Sequence, residues 1–459
     1  MSRKKPIPRF EIHAHSEYSN LRMLDCSNKI KDLYDKAYQI GLAGLVLTDH
    51  ESLSGHVEVD KIQEEYQEKD KNFKVIRGNE IYLTKTRDKN QPYYHFILIA
   101  LDSTGHRMLR ELSSQSWINS YFDRGMERVP TLYSELEEVI KKYGQGHLHG
   151  SSACLGGEIN SNVNKMCGAR LIGDVLTEKQ CYKNIVERIN WCVNTFGKDY
   201  FTLEVAPGCS DEQVRTNKKM KDIGKAFGIP LVIGTDAHYL GPEDRVVHKA
   251  LLNSRDGERE VDEFYYYAYL QTEEEIIEHL KGTGLDYEEL CANSMKIYDK
   301  CQYYSLKHSQ IVPQVEVKEY AKKKVDLGDY PVLNSLFVSD EPQERYWVNF
   351  CVEELKKKGL YNKEYLTRLE EEADIQDTVG KKLDTCIFAY PTFLQHYIDL
   401  FWECGSTVGT GRGSAGAGLN HYLMGLTQLD PVKNNLPYFR FLNKERIELP
   451  KQICRYWAV

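Results

Sequence analysis

Residues 9–19 read RFEIHAHSEYS, an alternating run that ends in two histidines. Phe10, Ile12 and Ala14 alternate with Glu11, His13 and His15, the period-two pattern of a β-strand, so both imidazoles point to one face. Alone, such a pair is a satisfied core pair or a pair of metal ligands, and what recurs downstream decides. Short apolar runs follow at 43–50 (AGLVLTDH), 73–83 (FKVIRGNEIYL), 93–101 (YYHFILIAL), 201–206 (FTLEVA) and 229–238 (IPLVIGTDAH). Stretches 28–40, 55–69, 132–143, 178–195 and 211–227 between them read as helices. Repeated β–α units predict an α/β fold with a parallel sheet, open or closed into a barrel.

Polar residues collect at the strand ends: His13, His15, Asp49, His50, Glu80, Asp236 and His238, with Asp25 in an early loop and His95 inside its run. In a parallel α/β barrel that rim is where active sites sit. A buried imidazole or carboxylate is expensive unless paired or metal-bound, so this many on one rim point to a metal cluster. Histidine and carboxylate ligands suit zinc, manganese or iron, and several metals together suit phosphoester hydrolysis.

A chain of 459 residues is long enough for two or three domains. Its net charge of −8 excludes an overall basic footprint, so any nucleic-acid surface must be local. The 12 cysteines form no CxxC pair, nothing reads as a signal peptide, and no apolar run reaches the ~18–20 residues of a membrane span. A cytoplasmic protein with reduced or metal-bound thiols and no membrane partner is expected. From 272 to 302 the pattern is helical. The following segment, with two prolines and mixed charge, reads as a connector that places a boundary near 305–335. Long helices follow, and then VGTGRGSAGAGL at 408–419. Gly411 and Gly413 permit unusual φ and close backbone approach, Arg412 offers a cationic fork, and Ser414 with the following helix N-terminus offers donors to an anion. Taken alone, the same residues read more readily as a tight turn before a packed helix of small residues.

The stretches HAHSEYS and LDCSNKI, GLAGLVLTDHESLSGHVE, GNEIYL, YYHFILIALDSTGHRML, SSACLGGEI and IPLVIGTDAHYLGPED resemble the PHP (polymerase and histidinol phosphatase) family. The resemblance is nearer to the PHP domain that opens bacterial DNA polymerase III alpha subunits. It implies a distorted α/β barrel holding up to three metals. The implied ligands are His13, His15, Asp25, His50, Glu80, His95, Cys154, Asp236 and His238. His13, His15, His50, Asp236 and His238 would carry catalysis. No ligand position is replaced, which implies a working 3′–5′ exonuclease. The spacer before Asp25 is longer than usual for the family. His147 and His149 are expected to be strand residues with solvent-facing imidazoles.

The segment 408–450, and more loosely the helices upstream of it, resemble the palm of the same subunit, which is nucleotidyltransferase-like. The implied organisation is a PHP domain over 1–281, a helical connector over 282–335, and a mostly helical α+β part of the palm over 336–459. Gly411, Arg412, Gly413 and Ser414 would grip a nucleotide triphosphate. Implied partners are primer-template DNA, deoxynucleoside triphosphates, a remaining polymerase polypeptide and replisome components, with magnesium for polymerisation. The family continues after RFLNKERIELP with an Asp-x-Asp run. Here Lys451, Gln452 and Ile453 follow, so polymerase catalytic carboxylates are expected to be none, and polymerisation is expected to need a further segment. Two other functions compete: a stand-alone PHP phosphatase acting on a small phosphomonoester, and a non-catalytic docking half of a split polymerase.

Overall fold

A computed structural model describes residues 6–21, 24–123, 126–254, 263–308 and 311–445. The chain divides into two compact units, 1–306 and 307–459. Among the described residues the first contains ten strands: β1 (Phe10–Ala14), β2 (Gly44–Leu47), β3 (Lys74–Thr84), β4 (Tyr94–Ala100), β5 (Tyr121–Asp123), β6 (Met126–Arg128), β7 (Thr131–Leu132), β8 (Leu148–Ser151), β9 (Phe201–Val205) and β10 (Leu231–Ile233). The main sheet runs β1-β2-β3-β4-β8-β9-β10, with β7 also paired to β3, while β5 and β6 form a separate hairpin. Beyond β10 the chain returns to β1: Ala14 bridges Ala237, and His15 N donates to Ala237 O at 3.0 Å. The sheet therefore nearly closes into a barrel.

Alternation along the strands separates two apolar layers. Inside lie Phe10, Ile12, Val46, Ile76, Ile97, Ile99 and Val232; the end is plugged by Ile297 and Cys301. Outside, Leu45, Leu47 and Val75 pack under helices Ile30–Gln39 and His56–Lys69, which contribute Leu33, Tyr34, Ile62 and Tyr66. Strands covered on both faces read as near-continuous apolar runs, as these do. Gly44 is needed where β2 meets β3, since a Cβ there would lie 2.3 Å from Lys74 O.

The expected parallel sheet has one exception. β4 is antiparallel to both β3 and β8. Only nine residues join β3 to β4, too few for a crossover helix, so the chain turns back on itself. The reversal has a consequence for the site: the start of β4, not its end, lies on the rim with the C-terminal ends of the parallel strands. Two helices not anticipated from sequence, Ser103–Ile118 and Glu158–Leu171, also cover the barrel.

The expected helical connector is helical only at its ends. Helix Tyr287–Lys300 belongs to the first unit, Pro331–Leu336 to the second, and no described residue from 301 to 330 is in a helix or strand. Pro331 opens its helix at the first turn, where the missing N–H is not needed. The second unit is built on helices Pro342–Lys357, Lys363–Leu383 and Ala389–Glu403. Trp347, Val348, Cys351 and Leu355 interlock with Leu366, Leu369 and Ala373 in its core. No strand occurs among its described residues, so the β part implied for a palm is not found among them. No helix among the described residues is long and apolar enough to cross a membrane.

Candidate metal centre

A β-bulge aims the two histidines of β1. Phe10 and Glu11 pair with Gly44 and Leu45, but Ala14 pairs with Leu47, so Ile12 and His13 together face the single residue Val46. Simple alternation from Phe10 and Ile12, which are interior, would turn His13 outward. The bulge shifts the register so that Ala14 packs in the outer layer while His13 and His15 turn to the cluster inside. Asp236 has φ of 49°, Glu51 beside His50 has 49°, and Ala153 beside Cys154 has 58°. Left-handed backbone at non-glycine residues is costly and gathers at functional sites.

All nine implied ligands lie on this rim; seven fall into overlapping groups, and Asp25 and Asp236 pair with histidines of those groups. His15, His50 and His238 form one, His13, His15 and Glu80 a second, and Glu80, His95 and Cys154 a third; within each, one ligand atom per residue lies within 4.8 Å of the others. Glu80 is the hub. Its Oε1 is 2.8 Å from His95 Nδ1 and 3.4 Å from His13 Nε2, while Oε2 is 3.8 Å from His15 Nε2 and abuts His50 Nδ1. Asp236 Oδ1 stands 3.2 Å from His13 Nε2 and 2.9 Å from His15 Nε2. Asp25, despite its long spacer, comes to 3.2 Å from His50 Nε2 and 3.7 Å from His238 Nε2. The spacer folds as a short helix, Glu17–Leu21, and Asn20 Oδ1 accepts from the amides of Asp25 and Cys26 at 3.0 Å each. Cys154 Sγ lies 3.7 Å from His95 Nδ1.

Buried yet unsatisfied atoms test whether cations fit. His13 Nε2, both oxygens of Asp25, His50 Nε2 and Glu80 Oε2 have no hydrogen-bond partner. Such atoms are rare in folded interiors, and here His13 Nε2 faces the Glu80 carboxylate and His50 Nε2 faces that of Asp25. Divalent cations fit this donor set. Burial opposes charge on Asp25, Glu80 and Asp236, but the imidazoles beside them prevail and hold all three carboxyl pKa values below the ordinary range. Burial also pulls His13 down, yet Asp236 and Glu204 raise it on balance; Asp25 and Glu80 push His50 up to about 10. Burial, with His50 and His238 beside it, lowers His15 to about 3. Burial and the nearby carboxylates raise the Cys154 thiol, so a thiolate there requires a cation.

Glu204, on β9, is a residue of the candidate site that sequence reasoning missed. It accepts from His13 Nδ1 at 2.6 Å, leaving Nε2 to face the cluster, the carboxylate–histidine arrangement that orients metal ligands. The available signal was a lone glutamate at an inward position of FTLEVA. His238 is fixed likewise, its Nδ1–H donating to Asp236 O at 2.7 Å. Asp49 ties the rim loops together through Ser16 and Ser19. His149 departs from the solvent-facing expectation: it is buried, inside the barrel, against Thr202 Oγ1 at 3.1 Å. His147 is half-buried on Asp102 at 2.7 Å, and neither histidine joins the groups above.

In the second unit, Gly411, Arg412, Gly413 and Ser414 are exposed, with φ of 112° at Gly411 and 69° at Gly413. The expected supply of amides from a following helix is corrected. A single 3-10 turn, Gly413–Ala417, leads into a helix of five residues, Leu419–Leu423. Its first amides are already taken: Leu419 N and Asn420 N donate to the buried Glu372 at 2.7 and 2.9 Å. Any anion held here relies on the exposed loop itself. The tail KQICRYWAV, where carboxylates were expected to be none, lies outside the described residues.

Comparison with known families agrees with both halves. Residues 11–207 match the PHP domain, and residues 339–451 match the family described as bacterial DNA polymerase III alpha NTPase domain. The chain is similar to the DNA-directed DNA polymerase of Bacillus phage SPbeta, at 35% identity over 464 residues, covering 95% of this chain and 36% of that protein. It is also similar to DNA polymerase III subunit alpha of Borreliella burgdorferi, at 26% identity, covering 96% of this chain and 34% of the relative. The Campylobacter jejuni subunit of the same name is 28% identical, with 96% and 35% covered. The chain thus spans about a third of the length of the curated relatives it matches. With a PHP domain ahead of the region matching the NTPase domain, the chain belongs to the bacterial DNA polymerase III alpha family.

Proposed function

We propose that the barrel rim is a metal-dependent phosphodiesterase centre acting as a 3′–5′ exonuclease on DNA, within a replicative polymerase. The observation that carries this reading is Glu80, a fully buried carboxylate whose two oxygens reach four imidazoles while Oε2 accepts no hydrogen bond. Zinc, manganese or iron ions held by His13, His15, Asp25, His50, Glu80, His95, Cys154, Asp236 and His238 would polarise a phosphoryl oxygen and acidify a water. The chain's own residues do the rest. Glu204 fixes the His13 tautomer, His238 is locked by its backbone bond, and Glu80 and Asp236 hold negative charge between the imidazoles. In the reaction, water oxygen bonds to phosphorus, the P–O3′ bond breaks, and the released 3′-oxygen takes up a proton.

In the second unit, Gly411, Arg412, Gly413 and Ser414 form the proposed grip for a deoxynucleoside triphosphate. Arg412 supplies the charge in place of the helix amides that Glu372 occupies. Polymerisation belongs to the whole protein, with magnesium, primer-template DNA and cytoplasmic replisome partners. The test is incubation of the chain with a 5′-labelled single-stranded oligonucleotide and manganese, zinc or iron. Stepwise shortening from the 3′ end, abolished in Asp236→Asn, is expected; full-length label with every metal would overturn the exonuclease.

A further inference from the structure

A cavity of about 390 Å³ opens beside the metal centre at the C-terminal ends of β8, β9 and β10. Asp236 lines the cavity and its Oδ1 stands against His13 Nε2 and His15 Nε2 at 3.2 and 2.9 Å, so whatever enters the cavity abuts the cluster. Its walls include Leu155, Ala206, Pro207, Gly208 and the half-buried Tyr267. Gly208 permits the close packing of this wall, since a Cβ there would lie 3.3 Å from Tyr267 Cδ2. Two further features define what the cavity accepts. Among the described residues no lysine or arginine lines it, and its charged side chains are the carboxylates of Glu212 and Asp236, so it repels phosphate and favours a neutral group. Thr235, on the same wall, carries a buried hydroxyl with no hydrogen-bond partner.

Its volume lies at the small end of ligand pockets, room for one nucleoside and too little for a base pair. Resting on the exonuclease reading above, we infer that this cavity receives the sugar and base of the 3′-terminal nucleotide, stacked on Tyr267, while its 5′-phosphate lies at the metal cluster. The end must then be unpaired to be cut. Tyr267 is a positioning residue, and the stacking is sequence-tolerant because every base has a π-face.

The test uses the full chain without metal and an oligonucleotide carrying 2-aminopurine at its 3′ terminus or at an internal position. Quenching of the terminal probe on binding is expected to exceed that of the internal one. Affinity should fall about 10-fold in Tyr267→Ala and be kept in Tyr267→Phe. Ala206→Leu, which fills the cavity from another wall, should also remove the terminal quench. Equal quenching at both positions, or unchanged affinity and quench in both Tyr267→Ala and Ala206→Leu, would overturn the pocket. The two readings separate cleanly. Terminal quenching without shortening under any metal sinks the exonuclease and supports the pocket; shortening of paired and unpaired ends at equal rates, unaffected by Tyr267→Ala, sinks the pocket alone.

Discussion

Glu204 offers no atom to the three ligand groups, yet His13 has its direction from it. Removing the charge while keeping the shape isolates that role. Glu204→Gln should weaken metal binding by about 10–100-fold, measured by competition with a chromogenic chelator, with the fold intact. Unchanged affinity would mean that the bulge alone sets the imidazole. A second buried pair lies away from the cluster. His56 Nδ1 and His106 Nε2 are 3.1 Å apart. Burial, reinforced by Arg77, lowers His56 to about 3, and burial with His56 lowers His106 to about 2. Their stabilisation is complete above the ordinary histidine value near 6.5 and is lost as pH falls below it, because the unfolded chain takes up protons that the folded pair refuses. At pH 5.5 each site costs about 1.4 kcal/mol. Urea midpoints at pH 7.5 and 5.5 should therefore converge in His106→Gln relative to the parent; identical acid shifts in both would contradict the assignment.

At the scale of elements, period-two runs and amphipathic stretches were legible because burial on both faces leaves a plain apolar record. Helices read at 55–69 and 211–227 fall at His56–Lys69 and Asp211–Phe227. Two elements were not legible in the same way. The reversal of β4 depends on the shortness of one loop, and the bulge at Ile12–His13 depends on which residues the neighbouring strand offers. Period-two reading put His13 and His15 on one face correctly but could not say which. Helices Ser103–Ile118 and Glu158–Leu171 escaped because glycine, serine and asparagine dilute their apolar stripes. The close approach of β2 and β3 gives a test: Gly44→Ala must push Lys74 O away, and should cost about 1–3 kcal/mol in urea unfolding. A variant as stable as the parent would show that the strands separate freely.

For the whole molecule, the site was the more legible half. The nine ligand positions implied by motif resemblance lie on one rim, although they span residues 13 to 238, because a barrel returns every strand end to the same place. The glycine loop was legible as a turn, but Glu372, forty residues upstream, is what claims the helix amides, and no local pattern announces it. The first unit holds its own apolar layers, so residues 1–306 expressed alone should unfold cooperatively and bind metal as the full chain does. A fragment without a cooperative transition would show that its core is incomplete. Metal content by mass spectrometry, after reconstitution with manganese or zinc and removal of loose ions, is the sharpest test of the rim as a multi-metal centre. More than one ion per chain is expected, falling below one in Glu80→Gln; a parent chain that retains no metal, or a Glu80→Gln variant that retains as much as the parent, would rule out a metal cluster centred on Glu80.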